Sequence, residues 1–268
     1  MIDIQNQPDF RNIPIDKVGI KGLRYPVKVL DKTTGLQSTV ARINMYVDLP
    51  HHCKGTHMSR FVEILNLVRA KVSLESLTNI LEDMKTILGA KSSHIEISFP
   101  YFIEKKSPET GSKGLMDYNC SIIGSSNGTK NTDIILTVAV PVTSVCPCSK
   151  EISEYGAHNQ RGEVLVSTRF RKFIWIEDIV GLVEASASCD IFSVLKREDE
   201  KHVTEKAYNN PKFVEDITRD VAQALMADKN ITWFSVSAEN FESIHNHSAY
   251  AYIERGSASL SPSLCPSA

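Results

Sequence analysis

Cysteine is scarce in this chain and dispersed: Cys53, Cys120, Cys146, Cys148, Cys189 and Cys265 are the 6 in 268 residues. So few, so scattered, exclude a disulfide framework; they read as the buried thiols and one or two working ones of a reducing compartment. Charge of one sign is also lacking. With 30 Lys and Arg against 32 Asp and Glu, the formal net charge is −2, which argues against a general nucleic-acid or anionic-membrane footprint. No apolar run approaches the roughly 20 residues of a membrane span. Residues 1–11 carry acids and amides where a secretory signal has its apolar centre. The expectation is a soluble, cytoplasmic protein. Two motif gaps matter as well: there is no G-x-x-x-x-G-K, hence no P-loop, and no C-x-x-C accompanies the one C-x-C pair.

What is present is an ordinary globular composition, 42% hydrophobic and 23% charged. Ala41, Ile43, Met45, Val47 and Leu49 alternate with Arg42, Asn44 and Asp48, the pattern of a half-buried strand. Phe61, Ile64, Leu65 and Val68 fall at helical spacing, as do Leu74, Leu77, Leu81, Met84 and Leu88 after a candidate N-cap, Ser73. Strands follow at Ile95-Ile97-Phe99 and over 118–123, with a polar loop expected over 104–114. The second half repeats this grammar. Residues 134–142 and Val164-Val166-Thr168-Phe170 read as strands, and 175–187 as a helix. A second helix is expected from Asn210-Pro211 through Val214, Ile217, Val221 and Leu225, before strands over 233–241 and 249–253. Strand, strand, helix, helix, strand, strand thus occurs twice, an α+β pattern of two antiparallel four-stranded sheets, each with a helix pair on one face. Residues 1–23 read as an arm, 24–130 and 131–255 as the two modules, and 256–268, rich in Ser and Pro, as a disordered tail. Sheets of this kind have open edges, often covered by other subunits.

The chemistry-bearing residues concentrate in the second half. Cys146-Pro147-Cys148 follows an apolar strand, and His158 comes ten residues after Cys148. Pro147 favours an extended Cys146, and continued extension would put both sulfurs on one side. Glu200 lies in the charged run 197–201, expected as a connection between helices. Glu215 sits early in the Pro211 helix, paired in the plainer reading with Arg219. His245 and His247 lead into the last strand and share a face if that segment is extended. A thiolate, imidazoles and a carboxylate are the donors of a catalytic metal site. Each also has a plainer reading, as a thiol, a solvated loop, a helix-surface pair or a strand histidine. In the first half, Lys54-Gly55-Thr56-His57-Met58-Ser59-Arg60 bridges a strand and a helix; it suits an anion, or simply begins a helix.

Several long motifs carry a resemblance. Val140-Pro141-Val142-Thr143-Ser144-Val145-Cys146-Pro147-Cys148-Ser149-Lys150 continues into Glu151-Ile152-Ser153-Glu154-Tyr155-Gly156-Ala157-His158-Asn159-Gln160-Arg161. With Leu195-Lys196-Arg197-Glu198-Asp199-Glu200-Lys201 and Glu239-Asn240-Phe241-Glu242-Ser243-Ile244-His245-Asn246-His247, it closely resembles the GTP cyclohydrolase I type IB family. The likeness covers residues from about 10 to 255. It implies tandem tunnelling-fold modules that assemble into barrels in a homotetramer, with interface active sites. It also implies hydrolytic opening of the guanine imidazole ring, turning GTP and water into 7,8-dihydroneopterin triphosphate and formate, towards folate. By the same resemblance Cys146, His158, Glu200 and His245 surround a divalent metal (zinc, manganese or iron), and Glu215 anchors the purine. His247 or His158 carries protons. Lys54, His57, Arg60 and Arg161 are the candidates for the rest of GTP. The alternatives are another tunnelling-fold enzyme, such as a cysteine-nucleophile nitrile reductase of 7-deazaguanine synthesis, or a non-catalytic purine- or metal-binding protein.

Overall fold

A computed structural model describes residues 5, 7–67, 71–128 and 132–256. Val68, Cys265 and the expected tail beyond Gly256 lie outside the described residues. The chain divides into two compact units. One comprises Met1–Ala139, Phe173–Val180 and Phe192–Glu200, the other Val140–Lys172, Gly181–Ile191 and Lys201–Ala268.

The first unit contains β1 (Ile15–Asp31), β2 (Gly35–Leu49), α1 (Met58–Leu67), β3 (Lys71–Val72), α2 (Leu74–Leu88), β4 (Ser92–Lys106), β5 (Lys113–Asn127) and the start of β6 (Thr132–Val145). Its strand order is β3-β1-β2-β4-β5-β6, antiparallel apart from the short β1–β3 pair. The inward residues are those the alternation marked: Ile43, Met45, Ile95 and Ile97 are buried, together with Phe61, Ile64, Leu65, Leu77, Leu81 and Met84 from the helices. Each such side chain contributes about 1.5–3 kcal/mol by leaving water. Ser73 caps α2 as expected. Its Oγ accepts the Ser76 N–H at 3.2 Å, while Ser76 Oγ accepts the Ser73 N–H at 2.9 Å.

Two expectations change here. The arm reading fails from Ile15 onward, because β1 begins there and pairs with β2. Register shifts between Ile15 and Val18 and between Ile20 and Leu23 break the period-two pattern, which hid this strand. At the second shift Gly22 takes a positive φ of 76° and donates its N–H to Asn44 Oδ1 at 2.7 Å. The loop expected over 104–114 shrinks to a tight hairpin end, since Glu104 pairs with Leu115 and Lys106 with Lys113 in the ladder. A Lys113–Glu104 ion pair at 2.8 Å spans those strand ends.

The second unit holds the end of β6, α3 (Pro147–Ile152), β7 (Asn159–Phe170), β8 (Cys189–Asp190), α6 (Val214–Ala227), β9 (Ile231–Asn240) and β10 (Ala249–Gly256). The order is β6-β7-β9-β10, with β8 on β6. Helix α6 packs on β9 and β10 and buries Ile217, Val221 and Leu225. It starts later than Asn210-Pro211 suggests. Phe213 is the N-cap, and its N–H is accepted by Asp216 Oδ2 at 3.0 Å.

Helices α4 (Ile176–Ser186) and α5 (Arg197–Asn209) complete the set. The charged run expected as a connection is therefore the start of α5. Its anchor is polar. Asp199, fully buried, accepts the N–H groups of Glu109, Thr110 and Lys196 at 2.9 Å and the Thr110 hydroxyl at 2.6 Å. Burial alone would raise this carboxyl, but the hydrogen bonds from Thr110, Lys196 and Glu109 outweigh it and hold the group well below the usual carboxylate range. A depressed folded-state value stabilises above the unfolded value of about 3.9 and is lost as pH falls through the folded one. Asp199→Asn replaces one acceptor oxygen by an NH₂ facing donors. It is expected to lower the thermal unfolding midpoint at pH 7, and the gap to wild type should close as pH drops below about 4. A gap independent of pH in that range would show that the carboxylate charge is not what holds the hairpin end.

Candidate active site

Strand β6 delivers Cys146 to its end, and the chain turns there because Pro147 cannot continue the ladder but suits the first position of a helix. Cys146 is extended (φ −68°, ψ 118°) and is the N-cap of α3. Its sulfur accepts the Ser149 N–H at 3.4 Å. Extension stops at that residue, so Cys148 lies in the first turn of α3, exposed, and does not share a strand face with Cys146. The two-sulfur arrangement expected from continued extension is thus replaced by one half-buried thiol at a strand end.

His158 is tied to that turn through the backbone. Its carbonyl accepts the Cys146 N–H at 3.1 Å, and its own N–H goes to Ser149 Oγ at 3.1 Å, which in turn donates to the Cys146 carbonyl at 3.1 Å. Ser149 therefore staples thiol-bearing and imidazole-bearing residues into one small ring of hydrogen bonds. The His158 side chain has its own partners: Nδ1 lies 2.9 Å from Gln160 Oε1, 3.5 Å from Ser243 Oγ and 4.0 Å from Glu242 Oε2. The segment after β9 is brought in by the Phe241 N–H, which donates to the Arg161 carbonyl at 2.9 Å.

The remaining candidates are placed as follows. His245 and His247 lie between β9 and β10 on a bent, exposed stretch, not the extended one expected. Their rings nevertheless stack, with centroids 5.1 Å apart and planes at 15°. Glu200 is exposed in the first turn of α5, one residue beyond the buried Asp199. Glu215 is exposed at the second position of α6. The plainer reading, a surface pair with Arg219, is not what forms: Arg219 pairs with Asp216 at 3.8 Å. Arg161 is exposed on β7. Lys54, His57 and Arg60 lie on the first unit's β2–α1 connection and the start of α1. There Lys54 Nζ is 3.3 Å from Gln7 Oε1, and Arg60 Nη1 donates to the Ile87 carbonyl at 3.1 Å.

Cys146 and His158 are thus brought together, with Glu242 and Ser243 beside the ring. Among the described residues of the single chain, no three His, Cys, Asp or Glu side chains are grouped to hold a metal ion. Cys120 is buried and its thiol is pushed up to about 12, mainly by burial and further by Glu177, which leaves it inert.

Sequence reasoning missed Gln160, Ser144, Ser149 and Glu242. One signal was available for Gln160. It stands in the inward series Gln160, Gly162, Val164, Val166 and Thr168 of β7, and a polar side chain at a core-facing strand position needs a partner.

A family model described as "Type I GTP cyclohydrolase folE2" matches residues 1–251. GTP cyclohydrolase FolE2 of Desulfosudis oleivorans is 61% identical over 256 residues, covering 96% of this chain and 98% of the relative. That of Geotalea uraniireducens is 60% identical over 255 residues, covering 95% and 93%. Among solved structures, uricase from Arthrobacter globiformis superposes with a TM-score of 0.51 at 9% identity, covering 94% of this chain and 96% of that one. A uricase from Bacillus fastidious gives 0.51 at 10% identity, covering 90% and 94%. Those likenesses concern the fold alone, and they agree with the tunnelling-fold, α+β reading. With a match running almost from end to end, the chain belongs to the FolE2 family of type I GTP cyclohydrolases.

Proposed function

We propose that this chain carries out its family's reaction at a site built around Cys146 and His158: GTP and water give 7,8-dihydroneopterin triphosphate and formate. The observation that carries this reading is that Ser149 joins the backbones of Cys146 and His158, a thiol-bearing and an imidazole-bearing residue, in a chain of this family. The chain is a GTP cyclohydrolase. The finer assignments rest on the donors present.

A soft sulfur and an imidazole suit a divalent transition metal. Cys146, His158, Glu200 and His245 are the residues that would hold it, and zinc, manganese or iron are the candidates. The ion, when bound, supplies Lewis acidity, lowering the pKa of water from about 16 to near 7 so that carbon 8 of guanine can be attacked at neutral pH. The exposure of Glu200, His245 and Glu215 in a single chain is what a site completed by further copies requires, and it supports a homo-oligomer, here proposed as a tetramer.

The chain's own residues have distinct tasks. Glu215 accepts two hydrogen bonds from the guanine ring N–H and exocyclic amine. This fixes the base and sets the distance from anchor to reacting carbon. Whichever histidine the metal leaves free, His247 or His158, exchanges protons with the ring nitrogens and the leaving formyl group. Lys54, Arg60 and Arg161 meet the triphosphate, and His57 is a further substrate-binding residue. The tandem-module division near residue 130 and a cytoplasmic location belong to the same proposal. In support of the latter, no described helix is long and apolar enough to cross a membrane.

The test is incubation of the purified chain with GTP and Zn²⁺, Mn²⁺ or Fe²⁺ in turn, measuring formate and, after oxidation, pterin fluorescence. At least one ion should support both products in equal amounts, and chelation should remove them. Turnover that survives complete metal removal would instead favour a cysteine nucleophile.

A further inference from the structure

We infer that Gln160 is a positioning residue, braced by Ser144 and Glu242, which selects the ring nitrogen that His158 turns towards the site. The inference rests on the role proposed for His158 and goes beyond it. Gln160 is 7% exposed on the inward face of β7, and Ser144, on β6, is fully buried. The Gln160 amide nitrogen donates to Ser144 Oγ at 2.9 Å, which leaves its oxygen facing His158 Nδ1 at 2.9 Å.

A neutral imidazole carries one N–H and one lone pair, so whatever faces Nδ1 decides what Nε2 can do. An amide turned the other way would give its NH₂ to Nδ1 and put the ring proton on Nε2. Glu242 breaks this tie. Its carboxylate oxygen is 4.0 Å from Nδ1, while Ser243 Oγ, which can accept or donate, is 3.5 Å away and favours neither tautomer. A negative group beside Nδ1 favours an N–H there and disfavours a lone pair. Nδ1 therefore carries the proton, and Nε2 keeps the lone pair that a metal ligand or a proton acceptor needs. Ser144 matters because its hydroxyl holds the far end of the amide in a buried setting; a hydroxyl can accept or donate, so the choice between the two amide orientations falls to Glu242.

The tautomer is readable directly from the nitrogen-15 shifts of the imidazole. The measurement uses the metal-free full chain, followed to alkaline pH until the nitrogen shifts no longer change, and the His158 signal is identified by its loss in His158→Ala. The wild type should show Nδ1–H. Gln160→Met keeps the volume and removes the acceptor, and should shift His158 towards Nε2–H. It should also lower kcat for GTP by about 10- to 100-fold with little change in KM. Gln160→Glu keeps an acceptor at Nδ1 and should preserve the wild-type tautomer. If Gln160→Met does not fold, Glu242→Gln removes the negative group beside Nδ1 and should shift the tautomer in the same direction. Nε2–H in the wild type, an unmoved tautomer in both Gln160→Met and Glu242→Gln, or a moved tautomer with wild-type kcat would each overturn the inference. A wild-type chain with Nδ1–H and no turnover of GTP would sink the proposed function while sustaining the brace.

Discussion

Cys146→Ala is expected to abolish formate release from GTP, by more than about a hundredfold, while leaving the fold in place. Cys146 is the cysteine tied to His158 by hydrogen bonds through Ser149, whereas Cys53, among the other described cysteines, lies before α1 in the first unit. Cys148 is exposed in α3, and Cys120 and Cys189 are buried. Little stability is at stake, because Cys146 is only half-buried and its sulfur makes one weak acceptor contact, to the Ser149 N–H at 3.4 Å. An unfolding midpoint within a few degrees of wild type is therefore expected. Cys146→Ser separates two roles. A serine hydroxyl is at least as good an N-cap as a thiol, so it should keep α3 capped and still fail in turnover and metal retention. Recovery of activity in Cys146→Ser would mean that the residue matters for the turn and not for its sulfur.

Glu215→Ala is expected to weaken GTP capture by about 1–3 kcal/mol, roughly 5- to 150-fold in kcat/KM, with metal content unchanged. Glu215 stands at the second position of α6 next to Asp216, whose carboxylate is already engaged by the Phe213 N–H at 3.0 Å and lies 3.8 Å from Arg219. That leaves Glu215, exposed, as the carboxylate of the pair available to a base. Glu215→Gln offers one acceptor where two are wanted and should be nearly as poor. The loss of a first-turn acid costs the helix only about 0.3–1 kcal/mol. Measuring KM and bound metal in one preparation distinguishes anchor from ligand, since a fall in metal content with intact KM would reverse the assignment.

How far these sites were legible varies with how local their causes are. Ser73 was readable as a cap because its partner, Ser76, lies within one turn. The inward residues of β2 and β4 were readable because burial follows a period of two. The first part of β1 was not, because bulges shift its phase. Helix α5 was not either: its anchor is the buried Asp199 and the backbone N–H groups of Glu109 and Thr110, remote in sequence, and not a stripe of apolar residues. Cys146 and His158 stood out as residue types, but nothing in the order of residues showed that Ser149 would join their backbones. Cys148 was misplaced because a local rule, extension before proline, held for one residue and then gave way to a helix.

By itself the order of residues determined the α+β grammar, the doubled pattern, the family resemblance and the residue types available for chemistry. All of these depend on periodicity and motif, which are properties of neighbours along the chain. Only the tertiary structure decided where β1 begins, which sulfur stands at the end of β6, and that Gln160, itself held by Ser144, and Glu242 converge on one nitrogen of His158. Those outcomes depend on hydrogen bonds between residues far apart in sequence, whose value exists only once burial removes the competing water.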